Sequence, residues 1–272
     1  MSKYILILFL TVSAYSINLQ AQNGQYTIGA RASGMANASV TLGDEWAMHN
    51  NIGALAQVER SSVMFTYQNR YGVSEFNTLG GGYIKPLFNG VAGIGVFRFG
   101  DSFFNEQKIN LGFSNQFGLV SLGANVNYLQ VNIEGLGSKG ILLLDFGGRA
   151  TITDQLIFGA HVSNINQAEL SSFTGEKIPT ILKAGLSYRP IDGLMLNAEA
   201  EKNLDFDALL KIGLEYEILT RITVRTGITT EPFESAFGIG FYPKKFNVDY
   251  SLRNNPDLGD IHELSIVYIL SK

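Results

Sequence analysis

The 272-residue chain contains no cysteine. Neither a disulfide framework nor a lipid-anchored cysteine behind an export signal is open to it, so its stability rests on packing. Charge is also scarce: Asp, Glu, Lys and Arg make up 16% of the residues, against roughly 25% in a typical soluble domain. The formal net charge is −4 and no Lys- or Arg-rich run occurs, which excludes nucleic acid as a partner. Past the first dozen residues there is no apolar run able to form a spanning helix, which takes ~20 residues. The strongest, Ile141 to Leu144, is far too short. His49 and His262 have no ligand-spaced partners, so neither a metal nor another cofactor is expected.

What remains is rich in glycine (30 residues) and aromatics (11%), a mixture that suits a β protein with few charges for an outer surface. Residues 1–21, MSKYILILFLTVSAYSINLQA, begin with a Lys, continue through an apolar run from Tyr4 to Val12, and end in small and polar residues. That layout reads as a secretory signal cleaved after Ala21. Ser13, Ser16, Asn18 and Gln20 interrupt it too early for a transmembrane helix.

From Ser61 onward, period-two alternation recurs at intervals of about fifteen residues. It predicts fourteen strands, near 61–69, 76–85, 91–99, 106–115, 119–132, 140–151, 155–163, 180–189, 193–202, 208–218, 221–229, 235–242, 245–253 and 262–270. Three segments state their facing most clearly. Leu210, Ile212, Leu214, Tyr216 and Ile218 oppose Lys211, Gly213, Glu215 and Glu217; Phe246, Val248, Tyr250 and Leu252 oppose Asn247, Asp249, Ser251 and Arg253. Val120, Leu122, Ala124, Val126 and Tyr128 likewise oppose Ser121, Gly123, Asn125 and Asn127. One face is apolar and the other polar.

A soluble sandwich alternates too, but its outer surface is freely charged. A membrane barrel turns the apolar face to lipid and uses strands of ~9 to 11 residues. Predicted connections after odd-numbered strands run from five to sixteen residues, against two to five after even-numbered ones. This alternation fits external loops and periplasmic turns, with both termini returned to the periplasm by an even strand count. An open edge in hydrocarbon would strand backbone groups at several kcal/mol each, so the sheet should close. The fold expected is an all-β transmembrane antiparallel barrel of about fourteen strands at residues 61–272, in the outer membrane of a Gram-negative bacterium.

Polar residues predicted to face inward carry both signs: Asp145, Arg149, Lys183, Glu199, Lys211, Glu215, Arg225, Asp249 and Arg253, with Arg189, Glu201 and Glu217 beside them. A pore selecting one ion sign would show a ring of one charge. A cross-linked polar interior is expected instead. Gly80, Gly81 and Gly82 and other strand glycines fit either plain irregularity or the close approach of an interior object.

Two short motifs carry chemical possibilities. "GLGSKG", Gly135 to Gly140, has the letters of a dinucleotide-binding turn, but the β-like "ILLLDFGGRA" follows where a helix is required, so it reads as a loop. "HVSN", His161 to Asn164, resembles the His-x-Ser-Asn of outer-membrane lipid A deacylases. That likeness implies His161 as base and Ser163 as nucleophile, with Glu169 or Glu176 as orienter. Both residues fall on the inward face, however, where such an enzyme would need access to lipid. They are expected to be polar lumen residues, and the chain is not expected to be an enzyme.

Between signal and strands lies "GARASGMANASVTLGDEWAMHNNIGALAQ", Gly29 to Gln57. A fourteen-stranded barrel is wider than its wall side chains can fill, since about eight strands is the limit for that. Residues 22–60 are therefore expected to fold inside as a plug, with Gly, Ala and Ser permitting tight backbone packing. Arg31, Asp44, Asn50 and Asn51 are expected to pair with wall charges, and Trp46 to wedge one end. The stretch resembles the N-terminal region of the PorV/PorQ family of Bacteroidota outer-membrane proteins, relatives of the long-chain fatty acid transporters. Arg31, Gly34, Met35, Ala38, Val40 and Asp44 fit the family's "ARxxxMGxAxVAxxxD" run, and Asn51, Leu55 and Ala56 its "NPAGLA"-like motif, with Ile52 in place of the proline. The resemblance implies a barrel with an internal hatch. It further implies an accessory role, binding an envelope protein partner in an assembly such as type IX secretion. The transporter relatives imply the alternative, passage of a small hydrophobic ligand through a lateral opening. Outer-membrane lipid is the one partner common to both.

Overall fold

The computed structural model describes residues 27–170 and 178–270. The signal at 1–21 and the last two residues lie outside the described residues. Fourteen strands follow a short irregular N-terminal segment: β1 Ser62–Arg70, β2 Val73–Leu87, β3 Gly90–Gly100, β4 Phe104–Phe117, β5 Val120–Ile133, β6 Gly137–Thr151, β7 Leu156–Ser163, β8 Ile181–Tyr188, β9 Leu194–Asn203, β10 Leu209–Leu219, β11 Ile222–Thr230, β12 Phe233–Phe241, β13 Phe246–Asn255 and β14 Gly259–Ile269. Each pairs antiparallel with the next, and β1 pairs with β14 from Ser62↔Ile269 to Arg70↔Ile261, closing the barrel. Closure leaves no edge to be satisfied by lipid.

The facing follows the sequence alternation. On β5, Ser121, Gly123, Asn125 and Asn127 are buried while Val120, Leu122, Val126 and Tyr128 are exposed. The same holds on β10, where Lys211 is buried and Leu210 and Ile212 are more than half exposed. A polar inside and an apolar outside is the inverse of a soluble fold and the signature of a wall standing in lipid. Two inward assignments fail. Glu217 is exposed because the β10–β11 register shifts between Glu217 and Leu219, turning the strand end out of the alternation. Arg189 is exposed because β8 has already ended at Tyr188.

The expected contrast between long and short connections also fails, apart from the span 164–180. β2, β4 and β6 start at Val73, Phe104 and Gly137, each a few residues before the predicted start, and so consume the loops. At these strand ends the outward positions turn polar and inward ones such as Phe104 are apolar, so the lipid-facing alternation fades while backbone pairing continues. "GLGSKG" is accordingly half strand: Gly137 to Gly140 belong to β6, and no helix follows. The wall is uneven in height, with β2 and β6 at 15 residues and β7 and β8 at 8.

The N-terminal segment comprises α1 (Ala30–Ser33), α2 (Ala47–Asn50) and a 3₁₀ turn (Ile52–Gln57). It packs against the inward face of the wall, where many strands present glycine. A β-carbon at Gly213 would lie 2.6 Å from Met35 Cβ, one at Gly227 2.5 Å from the Met35 carbonyl carbon, and one at Gly123 2.6 Å from the Ile52 oxygen. Gly93 stands in the same relation to Met48, Gly185 to Val40 and Gly238 to Gly34. Close approach, not irregularity, therefore accounts for these inward glycines. Overpacking of this kind costs about 1–3 kcal/mol. Gly227→Val is expected to lower the stability of the N-terminal segment by about 2 kcal/mol while leaving the barrel closed. Limited proteolysis of the folded protein, with cleavage confined to residues before 60, checks this.

Candidate functional site

Arg31, on α1, projects to β10 and meets Glu215 in a bidentate pair: Nη2 donates to Oε1 at 2.6 Å and Nε to Oε2 at 2.8 Å. Its Nη1 donates to Asp44 Oδ2 at 3.1 Å. Glu215 also accepts from Arg225 Nε at 2.6 Å, and Arg225 Nη1 donates to Asp249 Oδ1 at 2.8 Å. Tyr242 donates its hydroxyl to the same oxygen at 2.6 Å. A buried charge is tolerable when it is paired and its remaining donors are satisfied, and each guanidinium here meets two carboxylates.

A second node joins β8, β9 and β10 to the segment. Lys211 donates to Glu199 at 3.0 Å and to Glu201 at 2.5 Å. The other oxygen of Glu199 accepts the backbone N–H groups of Ser39 and Val40 at 2.8 and 2.7 Å. Lys183 donates to Thr27 at 3.0 Å and lies 3.4 Å from Glu201. Arg149 donates to the Thr41 carbonyl at 3.1 Å, Asp145 accepts from Asn127 at 2.7 Å, and Arg253 pairs with Glu234 at 3.1 Å. All nine lumen residues named from the sequence face inward; seven of them take part in ion pairs, while Arg149 and Asp145 meet a backbone carbonyl and an amide.

The segment residues divide differently. Only Arg31 pairs with a wall charge. Asp44 pairs with Arg31 and accepts the Trp46 N–H, at 3.0 Å. Asn50 bonds both backbone groups of Ile28, at 2.9 and 2.8 Å, and so ties the two ends of the segment to each other. Asn51 donates to Val40 and, at 3.1 Å, to Gly148 of β6, and it accepts the Gly53 N–H. Met35 and Gly34 lie against wall glycines, and Trp46 is buried beside Gly29. Burial holds the His49 imidazole far below its ordinary pKa, at about 3, with the Lys108 charge adding to the effect. It is neutral there.

Sequence reasoning missed Glu263. It is 1% exposed and accepts from the Gly29 N–H at 2.7 Å, from Gln68 at 2.9 Å and from Thr66 at 3.0 Å. Its place two residues after Ile261 and two before Ser265, in an alternating run, was the available signal.

His161 and Ser163 are both buried, with Oγ 3.0 Å from Nε2. The other ring nitrogen has no hydrogen-bond partner. Among the described residues no carboxylate hydrogen-bonds the imidazole, Glu169 is exposed on the connection after β7, and Glu176 lies outside the described residues. A triad needs that third member to fix the tautomer.

Two cavities adjoin the segment. One, of about 640 Å³, is a polar cup at the end of the barrel away from Ser62 and Ile269, with Thr27 and Asn37 among its lining and Arg70, Glu201, Lys211 and Glu234 around it. The other, of about 480 Å³, is a groove in the wall at Gly80, Gly81 and Gly82, lined by mostly apolar residues of β1 to β5 with Arg98, Gln107, Lys108 and Gln130 among them.

No known protein family and no curated protein matches the chain. Solved structures do. A deletion mutant of the TodX monoaromatic hydrocarbon channel aligns with a TM-score of 0.65 at 12% identity, covering 90% of this chain and 98% of that one. The CymD monoaromatic hydrocarbon channel aligns at 0.64 and 12%, covering 93% and 100%. The toluene transporter TbuX of Ralstonia pickettii aligns at 0.65 and 12%, covering 91% and 100%. The chain is an outer-membrane β-barrel of fourteen strands.

The Arg31–Glu215 pair generates a direct test. Removing one member leaves the other charge buried, which costs about 3 kcal/mol. Arg31→Met alone and Glu215→Leu alone are each expected to destabilise the protein by that order. The double variant should recover most of it, as read by chemical denaturation in detergent.

Proposed function

We propose that this protein is a plugged channel for small hydrophobic molecules, with residues 22–60 as the plug and a lateral route through the wall at Gly80 to Gly82. The observation that carries the reading is the continuity of apolar surface across that strip. On the inner side, Ile28, Trp46, Met48, Ile52 and Leu55 of the segment pack with Met64, Ile84, Val91 and Phe97 of the wall. On the outer side, Met64 and Phe97 also line the groove, together with Val63, Phe65, Val96 and Ile109. Three consecutive residues without side chains separate the two. An apolar solute arriving in that cluster meets the thinnest part of the wall, and transfer to lipid costs it no desolvation.

The polar lumen cannot offer such a path, because its charges are engaged with each other and with the segment. The resemblance of Gly29 to Gln57 to the PorV/PorQ run agrees with a plug. The accessory role has less to support it. Docking by loops needs exposed loop surface, and most connections here are turns such as 71–72, 118–119 and 231–232. The likeness to hydrocarbon channels concerns fold, and it agrees with transport.

Uptake of toluene into proteoliposomes tests the route. The wild-type protein should accelerate uptake, and Gly80→Val, whose new β-carbon lies 3.0 Å from Thr66 and 3.1 Å from Ile28, should slow it severalfold with the barrel still folded. Uptake no faster than in protein-free vesicles would sink the proposal. Deleting residues 29–57 should open an ion conductance in planar bilayers, and an unchanged conductance would count against a plug.

A further inference from the structure

The outer face of β3 to β6 changes character within one row of paired residues. Val96, Ile109, Tyr128 and Leu142 form an exposed apolar row in register across the four strands. The next outward row, toward the end of the barrel away from Ser62 and Ile269, is Arg98, Gln107, Gln130 and Gly140. The row beyond is Gly100, Asn105, Asn132 and Ser138. The amides of both rows are tied together, Gln107 to Asn105 at 3.1 Å, Asn132 to Asn105 at 2.8 Å and Gln130 to Asn132 at 3.0 Å. A switch from apolar to polar in one step marks the edge of the hydrocarbon. The longest connection, 164–180, leaves β7 at this same end, and long connections in such barrels are external, so this edge belongs to the outer leaflet.

Arg98 stands on that edge. Its side chain is exposed and makes no ion pair or hydrogen bond among the described residues. A cation on the lipid face costs least near the interface, where it can reach headgroups. Directly below Arg98 lies the groove of about 480 Å³, its apolar floor formed by Val63, Phe65, Leu79, Val96, Ile109 and Tyr128, its rim by Arg98, Gln107 and Gln130. An unpartnered guanidinium thus sits above an apolar groove, with the amides of Gln107 and Gln130 following it across β4 and β5 and able to donate further hydrogen bonds. Arg is the residue suited to phosphate, offering paired donors in one plane.

We propose that this groove holds one acyl chain of a phosphorylated outer-leaflet glycolipid, with its phosphate on Arg98 and the amides of Gln107 and Gln130. The same groove is the outer mouth of the route in the transport reading, but the lipid site rests on Arg98 and the polar rows, and its binding is read without any transport measurement. It makes the lipid a specific ligand of one face of the barrel, where the rest of the wall meets lipid only as solvent.

Native mass spectrometry of the detergent-purified full chain tests this, with three probes: diphosphoryl lipid A, its dephosphorylated counterpart, and inorganic phosphate. Wild-type protein should retain one diphosphoryl lipid A. Arg98→Gln should weaken that binding at least tenfold, Arg98→Lys should restore part of it, and Val96→Trp, which fills the groove, should abolish it. Arg189→Gln, removing an exposed cation at the opposite end, should change nothing. Barrel closure of each variant is read independently from its migration in unheated gels. Equal retention by Arg98→Gln and wild type would overturn the site. So would equal binding of the dephosphorylated lipid. Competition by inorganic phosphate at comparable concentration would mean a free-anion site and would overturn the lipid assignment.

Discussion

The rest of the structure depends on the approach of one backbone to another. A fourteen-stranded wall encloses a lumen that its own side chains cannot fill, and water at membrane depth would make it a pore. The N-terminal segment meets the wall where Gly123, Gly159, Gly185, Gly213 and Gly227 present no side chain, so that Met35, Val40 and Ile52 lie against wall backbone. Each of these contacts is van der Waals packing that a single methyl group would break. Their distribution over strands on all sides holds the segment from several directions at once.

Charge then fixes the orientation that packing allows. Glu199, Glu215 and Glu263 each receive groups of the segment, two through backbone N–H and one through Arg31. These carboxylates would be costly if left alone, and the segment would have unsatisfied donors without them. The polar lumen and the segment therefore solve each other's desolvation problem. The apolar surfaces of the segment are what is left over: the larger group packs on β1 to β3 beside the glycine strip, and Ala32, Met35 and Leu42 pack with Met195 of β9.

Strand count, facing and closure were legible because period-two alternation of an inverted kind leaves one consistent solution in lipid. The nine inward polar residues followed directly, since each lies on the wet face of a clear strand. The ends of strands were not legible. Above the hydrocarbon the outward row turns polar, as at Asn105 and Asn132, while inward positions such as Leu129 and Val131 are apolar, so β2, β4 and β6 run on where the lipid-facing alternation had stopped, and the supposed long loops shrank. The partners of Asp44 and Asn50 also escaped the sequence. Their local bonds to Arg31 and Ile28 depend on how the segment folds back on itself, which composition does not encode. Glu217 was misassigned because a register shift at a strand end is invisible to a period. The groove at Gly80 to Gly82 could be noticed as a glycine run, but its apolar floor comes from five consecutive strands whose registers bring Val63, Leu79, Val96, Ile109 and Tyr128 together.

The claim on which the account rests is that the wall holds the segment as firmly as it holds itself. Hydrogen–deuterium exchange of the folded protein in detergent reads this at single amides. The N–H groups of Gly29, Ala30, Ser39 and Val40, bonded to Glu263, Ser265 and Glu199, should exchange as slowly as those of the central strand residues. Exchange of these four amides within seconds, with the strands still protected, would contradict the account.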